Sequence, residues 1–221
     1  MPADDLSAVH ANAEPGEFVS LLRPQEWRDL SAAGRSRSFL RSSYLLVEGS
    51  RSNAVFVVLS GRTKVCSTTR DGAQVLLAVR GPGALLGELA AIDDEPRTAS
   101  VIALEPVKAL AVPSAAFSDF LAAQPRVALM LLRALTGRLR EADRKRVEFG
   151  GFDTIGRVAL RLVELTERFG QAEPGGIKIT IPMTQDELAG WVGASREAVV
   201  KALQSLRRRG WIDTQRRAVL V

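Results

Sequence analysis

The spacing of apolar residues divides the chain into two regions. Between residues 39 and 113, short apolar runs alternate with turns that contain glycine or proline, which is the pattern of short β-strands. Beyond residue 125, apolar residues recur every three or four positions, as they do along amphipathic helices. The pattern therefore predicts a β-rich N-terminal part followed by a mainly helical C-terminal part.

The β-rich part is predicted to form a small antiparallel barrel or jelly roll, because many short strands follow one another at this spacing. Asp71-Gly72 stands between two apolar runs and is a strong signal for a hairpin turn. Residues 17–33 predict one or two short helices interrupted near Pro24, and residues 1–13 are predicted to be disordered. The predicted strands are residues 44–47, 55–59, 63–68, 75–79, 99–104 and 107–112.

A long helix is predicted to begin at Pro125. One set of its positions advances alternately by four and three residues, which is the heptad spacing of a two-stranded coiled coil. The set is narrow and flanked by charged residues, so it favours contact with a second copy of the chain. We therefore predict a homodimer formed through residues 125–149, followed by a hinge at Gly150-Gly151, where two glycines give the backbone freedom. The heptad positions are Ala128, Leu132, Leu135, Leu139, Ala142, Arg146 and Phe149.

Two short helices joined by a tight turn are predicted between residues 184 and 212. Thr184 and Glu187 have the spacing of a capping box at the start of the first helix, and Gly193 ends that helix. Ser195 is a natural N-cap for the second helix. This arrangement is a helix-turn-helix unit, whose second helix is built to enter the major groove of DNA. The apolar face of the second helix comprises Ala198, Val199, Ala202, Leu203 and Leu206.

The segments around this unit are those of a winged helix. The predicted elements are a helix over residues 155–169 with Asp153 as its cap, a loop over residues 171–176, a strand over residues 177–181, and a terminal hairpin of residues 211–214 and 218–221 around Gln215-Arg216-Arg217.

The second helix opens with side chains that can read bases. The Arg196 guanidinium matches O6 and N7 of guanine, the Glu197 carboxylate can accept from N4 of cytosine, and Lys201 follows near one turn further on. Mixed charge is also common on solvated helix faces, but here it accompanies the caps, the turn glycine and the apolar face. Residues 138–149 carry five basic and three acidic residues, and residues 150–221 carry eleven and eight, which suits a phosphate backbone. We therefore predict double-stranded DNA as a partner.

A second informative stretch lies in residues 81–100, where Gly87-Glu88-Leu89 opens a short helical turn and Arg97-Thr98 follows. Backbone N–H groups at a helix start can hold an oxyanion, and an arginine can neutralise it with directed hydrogen bonds. A phosphate would repel Glu88, so its expected use is to accept from a sugar hydroxyl beside the phosphate. The spacing alone equally allows an ordinary ion pair between Glu88 and Arg97.

The composition argues against several other classes of protein. The single cysteine, Cys66, cannot form an internal disulfide or supply an iron–sulfur cluster, and the single histidine, His10, makes a haem or metal site improbable. No nucleophile–base pair is visible, so we expect no enzyme. No apolar run approaches the ~20 residues that span a bilayer, and the N-terminus lacks a basic start or signal core. We expect a soluble cytoplasmic protein with no membrane partner.

These features, in this order, resemble those of the cyclic-AMP receptor protein (Crp/Fnr) family of bacterial transcription regulators, over nearly the whole chain. GELAAIDDEPRTAS is similar to the family's phosphate-binding cassette, and VGASREAVVKAL is similar to its recognition helix. The family's turn glycines correspond to Gly49, Gly61, Gly72, Gly83 and Gly87. The resemblance implies an α+β fold with a cyclic-nucleotide-binding β-barrel or jelly roll in residues 14–123, a long coiled-coil dimerisation helix and hinge in residues 124–151, and a C-terminal winged helix-turn-helix in residues 152–221.

The resemblance also implies cyclic AMP as the effector. The Gly87 and Leu89 backbone and Arg97 would hold the cyclic phosphate, Thr98 would add a hydroxyl contact, and Glu88 would bind the ribose 2′-OH. Enteric members place a Thr-Ser pair of the long helix against the adenine, whereas this chain has Ala142-Asp143. The Asp143 carboxylate could accept from adenine N6, bind the N1–H and N2–H edge of guanine, or pair with an arginine of the partner helix. Cyclic GMP is therefore an open alternative.

For DNA, the resemblance implies that Arg196 and Glu197 read a G·C-containing half-site of a palindromic operator. Lys201 stands where the enteric protein has an arginine, and lysine lacks the bidentate fork, so readout of that base pair should be weaker or shifted. Backbone phosphates would be contacted by Ser195, Thr184 and Gln185. RNA polymerase is expected as a further partner. The alternative is a regulator that binds DNA without a ligand and keeps a vestigial nucleotide pocket.

Overall fold

The structure is a computed structural model that describes residues 13–14, 16–51, 53–69, 72, 74–179, 184–215 and 218–221, without the side chains of residues 149, 215 and 218. The chain divides into two compact units, Met1–Thr68 with Leu77–Leu139 and Thr69–Leu76 with Arg140–Val221. Several predicted features lie outside the described residues, namely residues 1–12 of the tail with His10, Asp71 of the hairpin turn, residues 180 and 181 of the strand predicted over 177–181, and Arg216-Arg217 of the wing.

Two four-stranded sheets make up most of the first unit, with residues 74–76 of one strand assigned to the second unit. Their strands are β1 (Arg35–Phe39), β2 (Tyr44–Leu46), β3 (Ala54–Ser60), β4 (Thr63–Thr68), β5 (Gln74–Arg80), β6 (Leu85–Leu86), β7 (Ser100–Ala103) and β8 (Val107–Pro113). The strand orders are β1-β8-β3-β6 and β2-β7-β4-β5, and every pair with a described register is antiparallel. The predicted jelly roll is confirmed.

Two strands of this unit are not predicted by the apolar pattern. Strand β1 reads RSRSF and is mostly exposed, because it lies at a sheet edge and pairs with β8 alone. Strand β6 has only two residues, Leu85 and Leu86, and is too short to show a period. Both strands exist because a neighbouring strand offers them backbone partners, which is information that the local sequence lacks.

Strand β3 is buried on both faces and lies between two hydrophobic clusters. Val55 and Val57 contribute to the cluster that also contains residues of the helices, whereas Phe56 and Val58 contribute to the cluster within the sheets. Successive side chains of a strand point to opposite faces, so a strand covered on both sides must be apolar throughout. Burying each such side chain stabilises the fold by roughly 1.5–3 kcal/mol relative to exposing it.

Helices complete the first cluster. They are a 3-10 turn (Phe18–Leu21), α1 (Pro24–Ala32), α2 (Glu88–Ile92), α3 (Ser114–Ala123) and the long α4 (Pro125–Gly151). The break predicted near Pro24 is confirmed, since Pro24 is the first residue of α1. Within the described residues, no single helix is long and apolar enough to cross a membrane, although the bent pair of α3 and α4 passes the same test of length and composition when taken together.

The N-terminal half of α4 has two apolar stripes. Val127 and Leu131 are buried in the first cluster. On a second stripe, Leu132 and Leu139 at two of the predicted heptad positions are 59% and 63% exposed. The helix therefore packs on its own barrel with one stripe, against which the heptad residue Leu135 also packs, and leaves Leu132 and Leu139 exposed.

The second unit contains the predicted winged helix. Its elements are α5 (Thr154–Phe169), β9 (Gly170–Glu173), β10 (Gly176–Ile179), α6 (Gln185–Val192), α7 (Arg196–Arg208), β11 (Asp213–Gln215) and β12 (Ala218–Leu220). The strand order is β11-β12-β10-β9. Our prediction of a loop over residues 171–176 is wrong except at residues 174 and 175, because the polar, exposed strand β9 ends at Glu173 and pairs with β10, which begins at Gly176.

The helix α4 continues through both glycines of the predicted hinge and ends at Gly151. Asp153 then caps α5, accepting a hydrogen bond from the Gly156 N–H over 2.8 Å. The division between the compact units falls earlier in α4, between Leu139 and Arg140. The domain boundaries that we derive from the sequence stay predictions.

An ion pair fastens α1 to the first turn of α4. Arg126 Nε donates to Glu26 Oε1 over 2.8 Å, and a second contact joins Arg126 Nη2 to Glu26 Oε2. The hydrogen bond from Arg126 holds the pKa of the buried Glu26 carboxyl at about 2, below its ordinary value of 4.5. Because the folded-state pKa is lowered, this pair stabilises the fold above about pH 4.5 and loses its contribution as the pH falls towards 2.

We expect Glu26→Gln to lower the melting temperature of the protein at pH 7, and the difference from wild type to shrink as the pH is lowered from 4.5 towards 2. Thermal unfolding followed by circular dichroism across this range measures both effects. Glu105→Gln is the matched control, since Glu105 pairs with Arg62 at 3.0 Å in a more exposed setting and should matter less. Equal effects of the two variants would contradict the assigned role of Glu26.

Candidate functional sites

The stretch that resembles a phosphate-binding cassette begins at a left-handed turn. Gly87 follows β6 directly and is the N-cap of α2, with a φ of 79° in the left-handed region. A Cβ atom at this position would lie 2.0 Å from Arg97 Nη1. The N–H groups of the first turn of α2 have no partner within the helix, as at any helix start. Only glycine therefore allows a guanidinium to lie against this turn.

The Arg97 side chain is buried, with an exposed fraction of only 5%. Its two terminal nitrogens donate to main-chain carbonyls, Nη1 to that of Gly87 and Nη2 to that of Ala54. Burial lowers the pKa of the guanidinium, and the charge of Glu88 opposes that change. These two hydrogen bonds of the buried cation thus go to neutral oxygens, although a cation is stabilised most by an anion.

The main chain of Arg97 is also held in place. Its N–H donates to the Ser50 carbonyl over 2.9 Å, and its carbonyl accepts from the Gly49 N–H over 2.8 Å. Two backbone hydrogen bonds to the turn after β2 therefore position the residue independently of its side chain.

Glu88 is buried beside this turn, and its carboxylate accepts from Arg138 Nη1 of α4. The alternative ion pair between Glu88 and Arg97 is not found among the described residues, where Glu88 pairs with Arg138 instead. The site therefore holds two cationic side chains around one carboxylate, which is a charge arrangement suited to an anion next to a hydroxyl.

The other predicted effector residues are distributed as follows. The Leu89 side chain is exposed, and its backbone lies in the first turn of α2. Thr98 is exposed next to Arg97. Ala142 and Asp143 are exposed on α4, beyond the residue at which the first compact unit ends. Their contact with a base stays a prediction.

Caps define the two helices of the candidate DNA-binding site. Thr184 Oγ1 accepts from the Glu187 N–H over 3.1 Å, and Glu187 Oε2 accepts from the Thr184 N–H over 2.8 Å, so the predicted capping box is confirmed. Gly193 ends α6 with a φ of 61°. Ser195 Oγ accepts from the Ala198 N–H over 3.2 Å at the start of α7, as predicted.

Helix α7 separates its apolar and polar faces sharply. Val199, Ala202, Leu203 and Leu206 are buried. The predicted DNA-contacting residues are all exposed, namely Thr184, Gln185, Ser195, Arg196, Glu197 and Lys201. Burial of one face fixes the rotation of the helix, so its charged N-terminal edge stays available to solvent.

The charged side chains at the start of α7 interact with one another and with a carboxylate of α6. Hydrogen bonds from its own backbone N–H and from Ser195 lower the pKa of Glu197, and the charges of Arg196 and Lys201 add to this effect. Arg196 Nε lies 3.8 Å from Asp186 Oδ1 of α6. The Glu197 carboxyl is therefore ionised at neutral pH and able to accept a hydrogen bond.

Comparison with known protein families matches both units. Residues 36–124 match the model of the cyclic nucleotide-binding domain, and residues 156–221 match that of the Crp-like helix-turn-helix domain. The chain is 36% identical over 183 residues to the CRP-like cAMP-activated global transcriptional regulator of Mycobacterium tuberculosis, which covers 83% of this chain and 82% of the relative. The chain belongs to the Crp/Fnr family of transcription regulators.

Further relatives agree with this assignment. The Crp/Fnr regulator described here is 29% identical over 189 residues to the cyclic AMP receptor protein of Thermus thermophilus, covering 86% of this chain and 84% of that protein. Its fold matches that of the c-di-GMP responsive global regulator CLP of Xanthomonas campestris with a TM-score of 0.81 at 19% identity, over 90% of this chain and 99% of that one. This protein is thus a DNA-binding transcription regulator with a cyclic nucleotide-binding domain.

Sequence reasoning missed three partners in this Crp/Fnr regulator. Arg138 appears in the sequence only as a charged neighbour of the heptad positions, the Ala54 carbonyl carries no side-chain signal, and Asp186 looks like an ordinary acidic residue in a first helical turn. Each contact joins residues of different elements. Only the tertiary arrangement brings them together.

We expect Gly87→Ala to weaken nucleotide binding and destabilise the barrel, because the added Cβ displaces the Arg97 guanidinium. Gly72→Ala is the matched control, since Gly72 has a similar φ of 84° and no atom of the described residues within 4 Å of the added Cβ. The control should cost only the ~1–2 kcal/mol of a left-handed alanine. Thermal unfolding and calorimetric titration with cyclic nucleotide measure the two effects. Equal losses in both variants would show that the close approach of Arg97 is unimportant.

Proposed function

We propose that this regulator binds cyclic AMP in its barrel and, as a homodimer, presents two α7 helices to a palindromic operator in the cytoplasm. The single observation that carries the effector assignment is the buried Arg97 guanidinium beside buried Glu88. A buried cation held by neutral carbonyls gains most from an incoming anion, and a carboxylate at its side suits a neighbouring hydroxyl. A cyclic nucleotide carries both groups next to each other.

The proposed roles of the cassette residues follow from this chemistry. Arg97 and the backbone N–H groups at the start of α2 hold the cyclic phosphate, with Thr98 as a further hydroxyl donor. Glu88 accepts from the ribose 2′-OH, for which Arg138 must yield or share the carboxylate. Cyclic GMP is the alternative effector, because a carboxylate such as that of Asp143 suits the guanine edge. Relatives named as cAMP-activated support cyclic AMP as the first ligand to test.

A homodimer is supported by the open stripe of α4. Leu132 and Leu139 at heptad positions stay exposed, whereas Leu135 packs partly against the barrel core. Paired through residues 125–149, two chains would bury this stripe as a coiled coil. The symmetry of such a dimer requires an operator with two half-sites about 34 Å apart.

The exposed start of α7 supports base reading by Arg196 and Glu197, and phosphate contacts by Ser195, Thr184 and Gln185. Lys201 would contribute a weaker, single-point contact. RNA polymerase is proposed as the partner through which the bound dimer acts. We propose no catalytic activity and no metal, haem or iron–sulfur cofactor.

We expect the dimer, freed of co-purified nucleotide, to bind cyclic AMP or cyclic GMP in calorimetric titrations, and Arg97→Gln to weaken that binding by roughly 100-fold or more. Dimerisation, measured by light scattering, should be unchanged. Arg62→Gln removes the same charge from the same barrel outside the cassette and is the matched control. If wild type binds neither nucleotide but still binds its operator, the ligand-independent alternative is favoured and the effector proposal fails.

We expect Arg196→Ala to weaken binding of an operator, selected by wild type from random duplexes, by about 1–3 kcal/mol and to relax the preference at one base pair. Arg208→Ala removes the same charge from the exposed C-terminal end of α7 and should leave sequence preference intact. Sequencing of duplexes selected by each variant measures preference. An Arg196→Ala protein that selects the wild-type operator would remove Arg196 from base readout.

A further inference from the structure

Asp186 is the one side chain that the structure pairs with Arg196 among the described residues. It stands in the first turn of α6, whereas Arg196 is the first residue of α7. Arg196 Nε is 3.8 Å from Asp186 Oδ1, and the two side chains are 60% and 70% exposed. The contact therefore joins the supporting helix to the recognition helix on the open face of the unit.

The geometry of this contact matters for base reading. A guanidinium has five N–H donors in a planar fork, and two of them suffice for O6 and N7 of guanine. The Asp186 carboxylate, 3.8 Å from Nε, attracts the guanidinium on its Nε side at a distance longer than a hydrogen bond, and leaves the two terminal amino groups for the base. It also restricts the rotamers of a long side chain, so less conformational entropy is lost when DNA binds.

The ordinary interpretation of Asp186 is a surface ion pair in a helix first turn, where acidic residues are favourable. The position of Asp186 in a DNA-binding unit argues against that interpretation. Asp186 is exposed between the proposed phosphate contacts at Thr184 and Gln185 and the start of α7. A negative charge there repels phosphates and lowers affinity for any DNA sequence. A gain in discrimination would offset this loss of general affinity.

We propose that Asp186 is a specificity-determining positioning residue, which holds the Arg196 guanidinium by its Nε edge so that the terminal amino groups address one guanine. The proposal rests on the proposed base-reading role of Arg196. It assigns Asp186 no contact with DNA. Its effect is a larger ratio of operator affinity to random-sequence affinity, obtained at some loss of total affinity.

The proposal predicts that Asp186→Asn raises the affinity for random-sequence DNA and lowers the ratio of operator affinity to random-sequence affinity. Affinity for a random-sequence duplex should rise, because a charge that repels phosphate is removed. The ratio of operator to random-sequence affinity should fall by roughly 2- to 5-fold, the range expected for an exposed ion pair, with the loss confined to the base pair that Arg196 reads. Asp186→Glu, which retains the charge, should recover part of the ratio.

Asp213→Asn is the matched control. Asp213 lies 3.7 Å from Arg207 at the other end of α7, with exposed fractions of 54% and 62%, so it loses the same charge from a comparable pair. Dissociation constants are measured for both duplexes by fluorescence anisotropy over a range of salt concentrations, and thermal unfolding checks that each variant is folded. The ratio should be unchanged in Asp213→Asn. Equal ratios in Asp186→Asn and Asp213→Asn would overturn the proposal.

The Arg196→Ala variant distinguishes a failure of the base-reading role of Arg196 from a failure of the positioning role of Asp186. If Arg196→Ala keeps the wild-type preference, the base-reading role itself fails. If it loses the preference while Asp186→Asn keeps it, only the positioning role fails. In the double variant, Asp186→Asn should cause no further loss of preference, because the side chain that it positions is absent.

Discussion

The structure of the first unit depends on how it accommodates one buried arginine, Arg97. Placing the Arg97 guanidinium inside a barrel is unfavourable unless its charge and its donors are matched. The fold supplies a left-handed turn at Gly87 that lets the side chain approach, a carbonyl of β3 at Ala54, and two backbone hydrogen bonds from the turn after β2. Strands from both sheets must be in register for these groups to meet, so the site and the jelly roll form together.

The helix α4 connects this site to the rest of the molecule. One stripe packs into the barrel core through Val127 and Leu131, and Arg138, two turns beyond Leu131 on the same face, reaches the buried Glu88 carboxylate. A ligand that engages Glu88 would compete with Arg138 for the carboxylate or share it, and it can shift the protein only by its differential affinity for the two arrangements. The helix that carries Arg138 also carries the exposed Leu132 and Leu139, so the proposed effector site and the proposed dimer interface both depend on α4.

The second unit contains its own ionic support. Arg161 of α5 is buried and pairs with Glu164 and with Glu148 of α4, while Lys145 lies over the Trp191 ring of α6 at 5.7 Å. These contacts fasten the last turns of α4 to the winged helix. They are consistent with the division of the compact units at Leu139 and Arg140 rather than at the two glycines. The exposed N-terminal edge of α7 thus belongs to a compact unit that includes the end of the long helix.

The sequence by itself determined the elements whose signals are local. Capping residues, turn glycines and the change from strand-like to helical spacing predicted most strands, the long helix, the helix-turn-helix and the family resemblance. Strands β1, β6 and β9 were not predicted, because polar or very short strands form only where a neighbouring strand offers backbone hydrogen bonds. Only the tertiary structure decided that Glu88 pairs with Arg138 rather than Arg97, and that Asp186 approaches Arg196. Such pairings depend on distances between elements, which spacing along one chain does not encode.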